Sequence, residues 1–123
     1  MKGAKPAVQQ DKAALGAVPR APAWLSKEAK AEWRRIMPLL VERKILTEAD
    51  MGSVESYCVA TGRIRQIEHL IGTSGTVEPA LFRMQDKAMQ TQRQLAAELG
   101  LTPVSRSRPA MREDADDADA LLD

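Results

Sequence analysis

A chain of 123 residues, 44% apolar but only 3% aromatic, has room for one core with tails, built on Leu, Ile, Val, Met and Ala. That size argues against a two-domain enzyme. It holds no run near the roughly 20 apolar residues needed to cross a bilayer and no apolar stretch after its basic start, so a cytoplasmic protein is expected. The net charge of +1 hides an asymmetry: beyond Arg112 lie six of the 17 acidic residues and none of the 18 basic ones, which leaves the rest at +7. Such a body suits a polyanion.

Residues 1–22 contain Lys, Ala, Gly and Pro with little periodicity, and composition predicts a mobile basic arm there. Residues 23–110 form the helical domain and 111–123 an acidic tail. Ser26 is placed to cap a first helix from Lys27, along which Ala29, Trp33, Ile36, Met37 and Leu40 recur at three- and four-residue steps and gather on one face. Pro38 inside that pattern predicts a kink or a break. Thr47 and Asp50, at capping-box spacing, start a second helix near Glu48. Its stripe of Met51, Val54, Tyr57, Cys58, Ile64, Ile67 and Ile71 is interrupted by Gly52 and Gly62, glycines that let another backbone approach closely. The run Gly72 to Thr76 turns the chain. After Pro79 a third helix carries Leu81, Met84, Ala88, Leu95 and Leu99 near heptad spacing and ends at Gly100. Gln85, Gln90, Gln92 and Gln94 leave that helix a narrow apolar seam, which suits pairing with one helix or with a neighbouring subunit. The expected fold is all-α: a kinked N-terminal helix and an antiparallel helical hairpin, with oligomerisation supplying burial that three short helices lack.

Chemistry is sparse. One His and one Cys, with no phosphate-cradling glycine loop, exclude most nucleophilic, metal and nucleotide-hydrolysing sites. Cys58 reads as a small core residue and His69 as a surface or structural one. Glu28, Glu32, Glu48 and Asp50 read as helix-end and solvated carboxylates. No metal and no cofactor are expected. The candidate DNA-binding residues are Lys2, Lys5, Lys12 and Arg20 in the arm, then Arg34, Arg35, Arg43 and Lys44 around the first helix; phosphates need cations, and neutralising them gives salt-sensitive binding without sequence preference. Arg63 and Arg65 cannot share one helix face and rank below these. Ser105 to Arg108 fits a DNA contact and a cap on the hairpin's end equally well. The acidic tail ends in Ala120-Leu121-Leu122-Asp123, an apolar handle on a charged leash. Plain solvation is its simplest role; the sharper one is docking on a partner or shielding the basic body until DNA displaces it.

Four segments in order carry a resemblance: Pro22-Ala23-Trp24-Leu25-Ser26-Lys27-Glu28-Ala29-Lys30-Ala31-Glu32-Trp33-Arg34-Arg35-Ile36, Leu46-Thr47-Glu48-Ala49-Asp50, Glu78-Pro79-Ala80-Leu81, and Leu99-Gly100-Leu101-Thr102-Pro103-Val104-Ser105-Arg106-Ser107-Arg108. Together they resemble the small terminase subunits of tailed phages and prophages, over about Pro22 to Arg108. The connector Gly72 to Glu78 departs from the pattern in being shorter than the loop many relatives carry.

The resemblance implies a non-catalytic ring in the host cell cytoplasm that binds double-stranded viral DNA and regulates a large ATPase and nuclease subunit. In that setting Ile64, Ile67, Ile71, Leu81, Met84, Leu95 and Leu99 become candidate oligomerisation residues, and Leu121 and Leu122 candidate contacts to the large subunit. The competing expectations are a dimeric helix-turn-helix transcription regulator that reads DNA with residues 46–57, and a purely structural virion adaptor. A regulator's dimer on two half-sites differs in mass from a cyclic oligomer.

Overall fold

The computed structural model describes residues 14–44 and 46–103, and all regular structure among them is helical. Helix α1 spans Lys27–Glu42, a three-residue 3₁₀ turn Glu48–Asp50 leads into α2, Met51–Thr73, and α3 spans Pro79–Glu98. At 1.5 Å per residue α2 is about 35 Å long and α1 about 24 Å, and α2 packs against both other helices.

Local signals place the boundaries. The Ser26 hydroxyl accepts the Ala29 backbone N–H at 3.1 Å and caps α1. Pro38 lies inside α1, yet the helix continues unbroken to Glu42. The Asp50 carboxylate accepts the Thr47 backbone N–H at 2.8 Å and its hydroxyl at 3.2 Å, so the shorter acid still ties down the chain before α2. At the end of α3, Gly100 has a φ of 71°; its N–H donates to Ala97 at 3.2 Å and that of Leu101 to Ala96 at 2.8 Å. These are the two reverse bonds of a glycine-terminated helix, and they satisfy carbonyls the helix leaves open.

The core sits where α1 crosses the first half of α2, and the end of α3 closes one side of it. Ala29, Trp33, Ile36, Met37 and Leu40 from α1 meet Val54, Tyr57 and Cys58 from α2, with Leu25, Leu46, Ala96 and Leu99 closing the sides. The α1 stripe therefore buries as its periodicity predicts. Cys58 is a fully buried core residue whose thiol is pushed up to about 12, first by burial and then by the charge of Glu32; it is held as an inert thiol.

Gly62 lies where α2 passes under the start of α1. A Cβ there would stand 3.0 Å from the Ala29 nitrogen, 3.1 Å from the Ser26 hydroxyl and 3.3 Å from the Ala29 Cα, whereas a Cβ at Gly52 would meet nothing within 4 Å. Gly62→Ala should therefore cost about 1–2 kcal/mol despite its better helix propensity, and Gly52→Ala should gain about 0.5–1 kcal/mol. Urea melts of the two variants check this opposition of sign.

The α2–α3 seam differs from the heptad expectation. Buried on α3 are Gln85 and Ala96, while Met84 is 55% exposed. The Gln85 amide donates to Glu68 Oε1 at 2.8 Å, and the Gln92 amide to the Thr61 hydroxyl at 2.9 Å. Small and amide side chains thus line the contact, because each amide finds an acceptor on α2 and its desolvation is compensated. Beyond the reach of α1 the two helices keep large apolar side chains in solvent: Leu70, Phe82 and Met84, with Val77 in the connector.

Candidate nucleic-acid interface

The described end of the arm, residues 14–22, is laid along the domain. The Leu15 N–H donates to the Leu46 carbonyl at 2.8 Å, Leu15 and Ala21 pack against the core, and the Trp33 indole N–H donates to the Pro19 carbonyl at 2.9 Å. Trp33 is a core residue, so this bond ties the arm to a fixed point. It carries Arg20 to the outer face of α1, where Lys30 and Arg34 stand one turn apart.

These three cations surround a shallow pocket of about 450 Å³ that also involves Val18, Pro19, Ala21 and Trp33. No carboxylate lines it, and among the described residues none of the three is in an ion pair. A concave site with three unneutralised cations attracts anions, and guanidinium groups match phosphate oxygens bidentately. Arg20 and Arg34 are among the candidates read from the sequence and Lys30 is not, although its spacing of four residues from Arg34 puts both on one helix face.

The other candidates fall elsewhere. Arg35 points away and chelates Glu32 through two hydrogen bonds, Nε to Oε1 at 2.9 Å and Nη2 to Oε2 at 2.5 Å, which raises its pKa. Its charge serves the fold. Arg43 donates to the Gly100 carbonyl at 2.8 Å, pinning the end of α1 to the end of α3. Lys44 is exposed, without an ion pair among the described residues, at a φ of 57° in the left-handed region. Lys44→Gly should relieve that strain and stabilise by about 0.5–1 kcal/mol. The same variant should lower the salt slope of duplex binding by about 1 per engaged subunit if Lys44 meets a phosphate; a thermal melt and a salt titration read the two effects separately. Lys2, Lys5, Lys12, Leu121, Leu122 and Ser105 to Arg108 lie outside the described residues.

Glu32 corrects a sequence expectation. Far from a solvated carboxylate, it is 1% exposed, in the core contact between α1 and α2. Besides Arg35, it accepts the Tyr57 hydroxyl at 2.7 Å and Arg65 Nη2 at 3.1 Å. Burial pushes its pKa up, but the hydrogen bonds from Arg35 and Tyr57 and the charges of Arg35 and Arg65 outweigh this and hold it below the usual carboxylate range. Tyr57 is shifted upward by burial and by bonding to the anion.

Of the candidate oligomerisation residues, Leu99 and Ile67 are buried within the subunit and Leu95 packs against its core. Ile64, Ile71 and Leu81 are half-buried and Met84 is exposed. His69 is exposed on α2. Among the described residues no group of His, Cys, Asp and Glu is arranged to hold a metal, and no helix is long and apolar enough to cross a membrane.

No curated protein and no solved structure matches the chain. The family described as phage terminase, small subunit, matches residues 29–116, which takes in nearly all of α1 and the whole of α2 and α3 and leaves Arg20 outside. The match covers well over half of the sequence, and the chain belongs to the phage terminase small subunit family.

Proposed function

We propose that this protein is the DNA-engaging, non-catalytic subunit of a phage packaging machine: a cyclic oligomer in the host cytoplasm that binds double-stranded viral DNA and recruits and regulates the large ATPase and nuclease subunit. The observation that carries the DNA reading is the convergence of Arg20, Lys30 and Arg34 on one carboxylate-free pocket in a member of this family. Phosphates of a duplex are the anions such a site fits, with Lys44 and the arm lysines Lys2, Lys5 and Lys12 extending it. Repetition around a ring multiplies a modest charge per subunit, so binding is salt-sensitive and indifferent to sequence at each contact.

The oligomer reading rests on the half of the α2–α3 pair beyond α1. There Gln85 reaches back to Glu68, and nearer α1 Gln92 reaches Thr61, the pairing sense of an antiparallel hairpin, and Ile64, Ile71, Leu81 and Met84 have little core of their own. A neighbouring subunit supplies the missing cover, while Ile67, Leu95 and Leu99 stabilise the subunit from within. A bend of α1 at Pro38 completes the proposed architecture. Leu121 and Leu122 make the contact to the large subunit. Native mass measurement of the full chain tests this reading: a single closed oligomer larger than a dimer is expected, whereas a dimer favours the helix-turn-helix regulator and a lone monomer removes the ring.

A further inference from the structure

A second surface feature is independent of the cation pocket. Between α2 and α3 runs an open groove of about 700 Å³ whose apolar wall is formed by Trp24, Val59, Ile67 and Met84. Trp24 at its edge is 64% exposed. Tryptophan is the largest apolar side chain, and here it stands in water beside other exposed apolar atoms, a combination typical of a binding surface. Arg63, Lys87 and one carboxylate, Glu55, also line the groove, and neither cation has an ion-pair partner among the described residues. The two cations outnumber the carboxylate, so the wanted occupant is apolar at its centre and acidic where it faces Arg63 and Lys87.

We infer that the groove is the docking site of this chain's own segment 113–123, with Leu121 and Leu122 against Trp24 and Val59 and the neighbouring aspartates toward Arg63 and Lys87. This segment carries six acids and no base around that leucine pair. A second copy's body would bring a net charge of +7 toward two unpaired cations, which disfavours it as the occupant. Reach is ample: Leu121 follows Pro103 by 18 positions, and such a chain has a root-mean-square span of about 23 Å as a coil. Tethering also makes the contact intramolecular, at an effective concentration near the millimolar range, so a weak docking suffices. The consequence is regulatory. Docked, the segment withholds Leu121 and Leu122 from other partners and lays its acids on the basic body. The docking does not depend on the DNA reading.

Full-length protein labelled with 5-fluorotryptophan gives one fluorine signal from Trp24 and one from Trp33, and the buried Trp33 signal reports that the fold is intact. Wild type and Leu121→Ser/Leu122→Ser are compared over a 30-fold range of protein concentration, about 10 to 300 μM. The Trp24 signal should differ between the two at every concentration while Trp33 stays fixed, and Asp116→Asn/Asp117→Asn/Asp119→Asn should move it part of the way. Coincident Trp24 signals in wild type and the leucine variant would overturn the proposal. So would a Trp24 shift that follows dilution equally in both, since that places a second copy in the groove.

Discussion

Glu32→Ala should lower the unfolding free energy by about 3 kcal/mol, and the melting temperature by about 10–20 °C in a domain of this size. The substitution removes a buried carboxylate, leaves space at the α1–α2 contact and takes from the Tyr57 hydroxyl its 2.7 Å acceptor. Arg35 and Arg65, whose side chains are 59% and 48% exposed, return to water at little cost, so their share of the loss is small. Most of the effect comes from the buried acceptor and its packing. Glu32→Gln keeps the shape and should lose less.

The same residue gives the fold an acid-sensitive limb. Because the folded carboxyl titrates below its ordinary value of 4.5, the unfolded chain takes up its proton first as pH falls. The stabilisation from Glu32 is then complete above that value and is lost progressively as pH drops through the folded pKa. Urea melts at about pH 7 and about pH 3.5 should show a wide gap between wild type and Glu32→Gln at the higher pH and a narrower one at the lower.

The second large effect concerns DNA. Arg20→Ala/Lys30→Ala/Arg34→Ala should weaken binding to a nonspecific duplex by about 100-fold near 0.1 M salt and flatten the plot of log affinity against log salt by about 2.7 per engaged subunit, three contacts at about 0.9 each. Stability should barely change, because Arg20 and Arg34 are exposed and none of the three holds an ion pair among the described residues. Arg35→Ala should behave in the opposite way, loosening the fold by losing its bonds to Glu32 while leaving the salt slope nearly intact. A fluorescence anisotropy titration at four salt concentrations, with a thermal melt of each variant, separates the two.

Much of the fold is legible in the residues because helices announce themselves locally. The stripe from Ala29 to Leu40, the Ser26 cap and the Gly100 stop all depend on neighbours within one or two turns. Glu32 is not legible in this way, since its partners Tyr57 and Arg65 come from another helix and a lone Glu among Lys and Ala reads as solvated. One signal is present: Glu32 is three residues after Ala29 and four before Ile36, on the apolar stripe itself. The α2–α3 seam is hidden for a similar reason. Gln85 and Gln92 count as surface residues until Glu68 and Thr61 are placed opposite them, and only then does the seam shift away from Met84. The pocket needs the bond from Trp33 to Pro19, which no periodicity encodes, to bring Arg20 beside Arg34.

Acetylation of lysines in the full-length protein, with and without saturating duplex DNA at low salt, probes the proposed DNA face at the level of single residues. Strong protection of Lys30, with Lys87 in the α2–α3 groove left unprotected, is the predicted result. Equal modification of Lys30 in the presence and absence of DNA would contradict it, and with it the claim that the arm and the first helix together grip the duplex.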